Sequence, residues 1–219
     1  MKKELTLIIS FALLVLIFNL NIVYSDPTQN TSNITAEGGN VTFIYLDTSG
    51  QTGDQVWQGY FGTVTSGIAL ENAAGDVFYD WNVVDAVGEV IASRSVISDW
   101  SLINCSNQTH IYDEETKLDI PDSLSNGIND TYTTTSHPDF YIGANLLTGC
   151  RSTQTNNQSG DRSVFWNVIL NLNSSETVYA AIMDDNVVGF NGSIVDFQLL
   201  VPVNRTSGQS LYNIYVELT

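Results

Sequence analysis

The residues equipped for chemistry are few. Only two histidines occur, His110 and His137, against 24 Asp and Glu in 219 residues. No Gly-x-Ser-x-Gly elbow, His-Glu-x-x-His helix or phosphate-binding loop is present. His137 precedes Pro138 in a Ser/Thr-rich stretch and reads as a loop residue. Paired carboxylates can run a glycosidase, one as acid and the other as base or nucleophile, and Asp80, Asp113-Glu114-Glu115 and Asp184-Asp185 are the candidates. Their spacing singles out no pair, and a chain this acidic produces such adjacency by chance. The chain therefore reads as non-enzymatic, with a two-carboxylate hydrolase through Asp184 as the reading to beat. The same oxygens suit a hard cation better. Asp184-Asp185-Asn186, followed by Gly189, Asn191 and Gly192, is the best local cluster, so calcium at Asp184 and Asp185 is the one cofactor candidate. The cluster has neither the alternating ligands nor the closing Glu of an EF-hand, and an ordinary polar hairpin end is the competing reading.

Cys105 and Cys150 are too far apart for a CxxC redox or zinc pair, and an oxidising compartment would join them. Closing that loop removes about 4 kcal/mol of unfolded-state entropy in the chain model. Two buried free thiols are the alternative. Asn-x-Ser/Thr sequons begin at Asn30, Asn33, Asn40, Asn104, Asn107, Asn129, Asn157, Asn173, Asn191 and Asn204, which points to a glycan-coated exported chain.

The N-terminus agrees. Lys2 and Lys3 precede a nearly uninterrupted apolar run over 5–20, followed by Ile22-Val23-Tyr24-Ser25 and the turn-forming Asp26-Pro27, the form of a secretion signal cleaved after Ser25. The segment is also about the ~20 residues a membrane helix needs, so an uncleaved anchor is the alternative. Either way the remainder is placed outside the cell. Net charge is −17, and beyond the signal the only cations are Lys117, Arg94, Arg151, Arg162 and Arg205. A surface of that sign repels nucleic acid and anionic lipid and keeps a secreted protein soluble. Membrane contact is expected only through an uncleaved N-terminal segment.

Residues 26–39 are polar and lack an apolar pattern, reading as a flexible spacer; a single domain is expected over 40–219. Strand signals recur at 41–46, 56–65, around Ile68 and Leu70, at 77–83 and at 89–94, separated by turn residues, the pattern of a β-meander. They resume at 163–172, 177–183, 194–201 and 211–218. Between the two groups lies an insertion, about 99–160, with short helices expected at 100–103 and 111–118. The second helix has acids near its expected start and Lys117 near its end. The proposed disulfide would tie this insertion down. The fold class is all-β, an antiparallel β-sandwich with immunoglobulin-like or jelly-roll character and a disulfide-tied loop and short-helix insertion. Trp57, Tyr60, Phe61, Tyr79 and Trp81 could form a sugar-stacking platform, but strand periodicity favours core and cross-strand pairs.

Trp57-Gln58-Gly59-Tyr60-Phe61-Gly62, Asp76-Val77-Phe78-Tyr79-Asp80-Trp81 and Gly88-Glu89-Val90-Ile91-Ala92-Ser93-Arg94 resemble motifs of a family of small secreted archaeal cell-surface proteins. The likeness continues through 100–105, His137-Pro138-Asp139-Phe140 and 190–202, covering most of the mature chain. It implies a β-rich surface or filament-like protein and carries no enzymatic residues with it. Combined with the spacer, it makes a self-associating surface-layer or filament subunit the leading expectation. Its assembly strand would contain Val41, Phe43 and Tyr45 and add to a neighbour's sheet edge. A calcium- or carbohydrate-binding adhesion module is the alternative.

Overall fold

The computed structural model describes residues 44–47, 56–64, 67–71, 77–82, 86–162, 164–207 and 210–218, with the backbone alone for 44–47, 67–71, 77–82 and 218. The signal (1–25), the spacer (26–39), the sequons at Asn30, Asn33 and Asn40, and Val41 and Phe43 of the expected assembly strand lie outside the described residues.

In chain order the strands are β1 (Ile44–Asp47), β2 (Trp57–Gly62), β3 (Gly67–Glu71), β4 (Val77–Asn82), β5 (Gly88–Ser93), β6 (Ile103–Cys105), β7 (Phe140–Ile142), β8 (Asn145–Leu147), β9 (Ser152–Thr155), β10 (Phe165–Leu172), β11 (Glu176–Ile182), β12 (Val187–Val188), β13 (Ile194–Val195), β14 (Phe197–Pro202) and β15 (Leu211–Leu218). The helices are a 3-10 turn at Trp100–Leu102, α1 (Gln108–Lys117) and α2 (Ile128–Thr131). All strand pairings among the described residues are antiparallel.

One broad sheet organises the domain, in the order β1-β15-β5-β11-β10-β6, with β9 also on β10. Its strands alternate between two cores. Val90, Ala92, Ile169, Tyr179, Ala181, Tyr212 and Ile214 face a layer made of the β2–β14 pair and α1, packing on Phe197, Leu199, Val201 and Ile111. Ile91, Val168, Leu170, Val178, Ala180 and Tyr215 face the opposite way, onto Ile103, Phe140, Ile142, Leu147 and Cys150. The all-β sandwich expectation holds, with the insertion serving as the cover of the second face. Each fully buried Leu, Ile or Val contributes about 1.5–3 kcal/mol.

The expected meander is corrected. Among the described residues of the first five strands, only β3 and β4 pair with each other, whereas β1 and β5 pair with β15, and β2 pairs with β14. The reason lies in β5, which is buried at every residue. A strand covered on both faces belongs in the middle of a sheet, and a near-continuous apolar run such as Val90-Ile91-Ala92 is its signature. β5 takes β15 and β11 as flanks.

The helix expected at 111–118 starts three residues earlier. The Asn107 side chain accepts from the His110 amide at 3.0 Å, and the Asn107 amide donates to His110 Nδ1 at 3.3 Å. This reciprocal capping satisfies two amides that the first turn leaves over. Glu114 and Glu115 consequently fall in the buried second half of α1, where they do not serve the helix dipole.

Candidate functional site

The broad sheet has two edges, and they are built differently. On the β10 side the edge is cut into two short pieces, β6 and β9, a recognised defence against unwanted pairing. Cys105, at the end of β6, is disulfide-bonded to Cys150, two residues before β9, with Cα atoms 4.9 Å apart. The Cys150 amide donates to His137 Nε2 at 2.8 Å, so the ring carries its proton on Nδ1 and donates it to the Pro138 carbonyl at 2.7 Å. His137 is buried at this clamp. Beside it, Arg151 Nε donates to the Tyr132 carbonyl at 2.8 Å, and the guanidinium also reaches Gln108 and both oxygens of Asn129. β9 is further bridged to Thr134 through Ser152.

The opposite edge is β1. It is linked into the sheet through β15 by four register pairs, Ile44 with Ile214 through Asp47 with Leu211. β15 continues past β1, and among the described residues 215–218 have β5 on one side and no strand on the other. Tyr45, named as an assembly residue, lies in β1 opposite Asn213.

Next to this seam sits a carboxyl pair that local sequence pattern does not reveal. Glu89 on β5 and Glu217 on β15 are directly opposite in register. Glu217 Oε1 accepts from the Gly143 amide at 2.7 Å, in the β7–β8 turn where Gly143 has φ +58°, a conformation glycine adopts freely. Glu89 is 3 % exposed, and its Oε2 has no hydrogen-bond partner among the described residues. Burial first, and then the neighbouring Glu217 charge, push the Glu89 carboxyl up to about 8. Glu89 therefore keeps its proton to higher pH than an ordinary glutamate. A glutamate set against Val90-Ile91-Ala92 was the available signal, but its partner is 128 residues away and only the pairing brings them together.

Glu114, Glu115, Asp185 and Asp196 are occupied structurally. Glu114 is fully buried, ion-paired to Arg94 and accepting from the Tyr179 hydroxyl at 3.1 Å. Glu115 Oε1 accepts from the Asn129 amide at 2.8 Å, and burial raises its pKa. At the calcium candidate, Asp185 Oδ1 accepts from the Ala86 amide at 2.9 Å. The neighbouring buried Asp196 takes the Val64 amide at 2.6 Å and the Asn186 amide at 2.9 Å. Asp184 is exposed, and partial burial followed by the Asp185 charge raises its pKa. Among the described residues no three His, Cys, Asp or Glu side chains converge as a metal site. The aromatic candidates of β2 are engaged within the fold. Trp57 donates Nε1–H to the Asn126 carbonyl at 2.7 Å and packs near Tyr132, Tyr60 lies against the first core, and Phe61 stands edge-on to Phe190 with centroids 5.0 Å apart. Tyr79 and Trp81 belong to β4.

Asn167 is a second key residue absent from the sequence-based candidates. Fully buried on β10, it donates Nδ2–H to the Gln198 carbonyl at 2.9 Å and accepts from the Leu200 amide at 2.8 Å. Its amide thus pairs with β14 as a neighbouring backbone would, closing that edge and fastening the second layer to the broad sheet. Its signal was a polar residue amid an apolar strand.

No protein-family model, curated protein or solved structure matches the chain. Among the described residues no helix is long and apolar enough to cross a membrane, and the disulfide accords with an oxidising compartment.

Proposed function

We propose that the chain is a non-enzymatic extracellular subunit of a surface layer or filament, exported by its N-terminal signal and assembled by strand exchange. In this reading β1 leaves its own β15 and pairs with β15 of a second copy, as in β-strand addition. The observation that carries it is the position of β1 among the described residues: early in the domain, at the end of the strand order and paired with β15 alone. Exchange of such an element preserves the native register, so the pairing that one copy gives up is restored in the next and little free energy separates the closed and exchanged forms. The polar stretch 26–39 in the sequence supports the same reading.

Two purified chains test it, one beginning at Asp26 and one at Asp47. The longer chain is expected to form filaments or ordered oligomers at high concentration by electron microscopy and light scattering, and the shorter to remain monomeric. A longer chain that stays monomeric throughout removes strand exchange.

A further inference from the structure

The sequons of the described residues differ sharply in how their side-chain amides are engaged. N-glycosylation joins the Asn Nδ2 to the anomeric carbon of a sugar, breaks the sugar–phosphate bond of a lipid-linked donor, and releases one amide proton with the lipid phosphate. The folded product must therefore leave space at Nδ2 and keep the hydrogen bonds of the remaining amide.

Three sites meet that requirement. Asn173 is exposed in the β10–β11 turn with φ +52°. Asn191 is exposed in the β12–β13 turn, where its Oδ1 accepts from the Ser193 amide at 3.0 Å and leaves both Nδ2 hydrogens over. Asn107 is exposed at the start of α1, with Oδ1 committed to the His110 amide and Nδ2 on the other branch of the amide.

Three others do not, and Asn157, half-buried with its Oδ1 accepting from the Ser159 and Asp161 amides at 2.9 Å, is assigned to neither group. Asn129 is half-buried, its Oδ1 shared by Gln108 Nε2 at 2.8 Å and Arg151 Nη1 at 3.2 Å. Asn204 is half-buried, donating Nδ2–H to the Lys117 carbonyl at 3.3 Å and accepting from both the amide and the hydroxyl of Ser207. Asn104 is exposed and donates one Nδ2–H to the Leu102 carbonyl at 3.0 Å, but the hydroxyl-bearing residue of its sequon, Ser106, is buried.

We propose that Asn107, Asn173 and Asn191 are N-glycosylation sites and that Asn104, Asn129 and Asn204 stay bare. This modification pattern requires export but not strand exchange, so it stands or falls separately from assembly. It also places sugars on turns and a helix start, leaving β15 without one. The test is intact-glycopeptide mass spectrometry of the full chain purified from the cells that naturally make it. Sugar-bearing peptides containing Asn107, Asn173 and Asn191 are expected, with Asn104, Asn129 and Asn204 unmodified. An unmodified Asn107, Asn173 or Asn191, or a sugar on any of the other three, overturns the assignment. In the same cells Asn173→Gln is expected to lower the intact mass by one glycan and leave the circular dichroism spectrum unchanged; an unchanged mass counts equally against it.

Discussion

The two edges of the broad sheet close the same structure by opposite means. At the β6/β9 edge, a covalent bridge, a buried histidine clamp and a multiply bonded arginine fix short strands in place. At the β1 edge, the four described residues of the early strand pair with β15, beside half-buried Glu217 and buried Glu89, whose Oε2 has no hydrogen-bond partner among the described residues. Short, pinned strands resist pairing with other chains, and a lightly held edge strand permits it. The difference teaches that the proposed exchange has a direction built into the fold.

The largest expected effect comes from breaking the fixed edge. Replacing Cys105 and Cys150 by Ala is expected to lower stability by about 4 kcal/mol, measured by urea unfolding. Reduction of the native chain should reproduce the loss. A loss below about 1 kcal/mol would show that the hydrogen-bonded clamp alone holds this edge.

The carboxyl pair at the other edge gives a pH dependence whose sign is fixed. Glu89 titrates near 8 in the folded chain against an ordinary 4.5. Between these values the folded chain holds a proton that the unfolded chain has released. Stability is therefore highest below about 4.5 for this group and falls as pH rises towards 8. Glu89→Gln is expected to flatten that fall and to stabilise the chain at pH 8, read from thermal melts across the window. Parallel profiles for the two chains would show that Glu89 ionises normally.

Between the edges, Asn167→Leu tests the fastening of the second layer. It removes both bonds to β14 and leaves a buried carbonyl and amide unpaired, so a loss of about 2 kcal/mol is expected in denaturant titration. Asn167→Asp, which keeps the acceptor for Leu200 but not the donor, separates the two bonds. Deleting β1 should have the smallest effect on the monomer, as expected of an element at the end of the strand order among the described residues, while abolishing assembly.

Much of this architecture was legible in local pattern. The alternation of Val164, Trp166, Val168 and Leu170 located β10, and the Cys105–Cys150 bridge followed from compartment and spacing. What local pattern could not supply was partnership. The run around Val90 marks a buried strand, but which strands flank it depends on residues about 90 to 125 positions later. Glu89 with Glu217 and Asn167 with Gln198 and Leu200 become sites only through that long-range pairing. The start of α1 was misplaced for a local reason: Asn107 and His110 cap one another, and histidine in the acceptor position of a capping box departs from the usual Glu or Gln.

Strand exchange itself is tested most directly by covalent capture at the seam. Ile44 and Ile214 are register partners, so cysteines at both positions can report which copy supplies β1. After mild oxidation of concentrated chain, exchange gives a ladder of covalent oligomers on non-reducing gels, which collapses to monomer with reductant and does not form with Ile44→Cys alone. A single fast-migrating monomer band at every concentration, with the new bridge closed within each chain, would contradict the account.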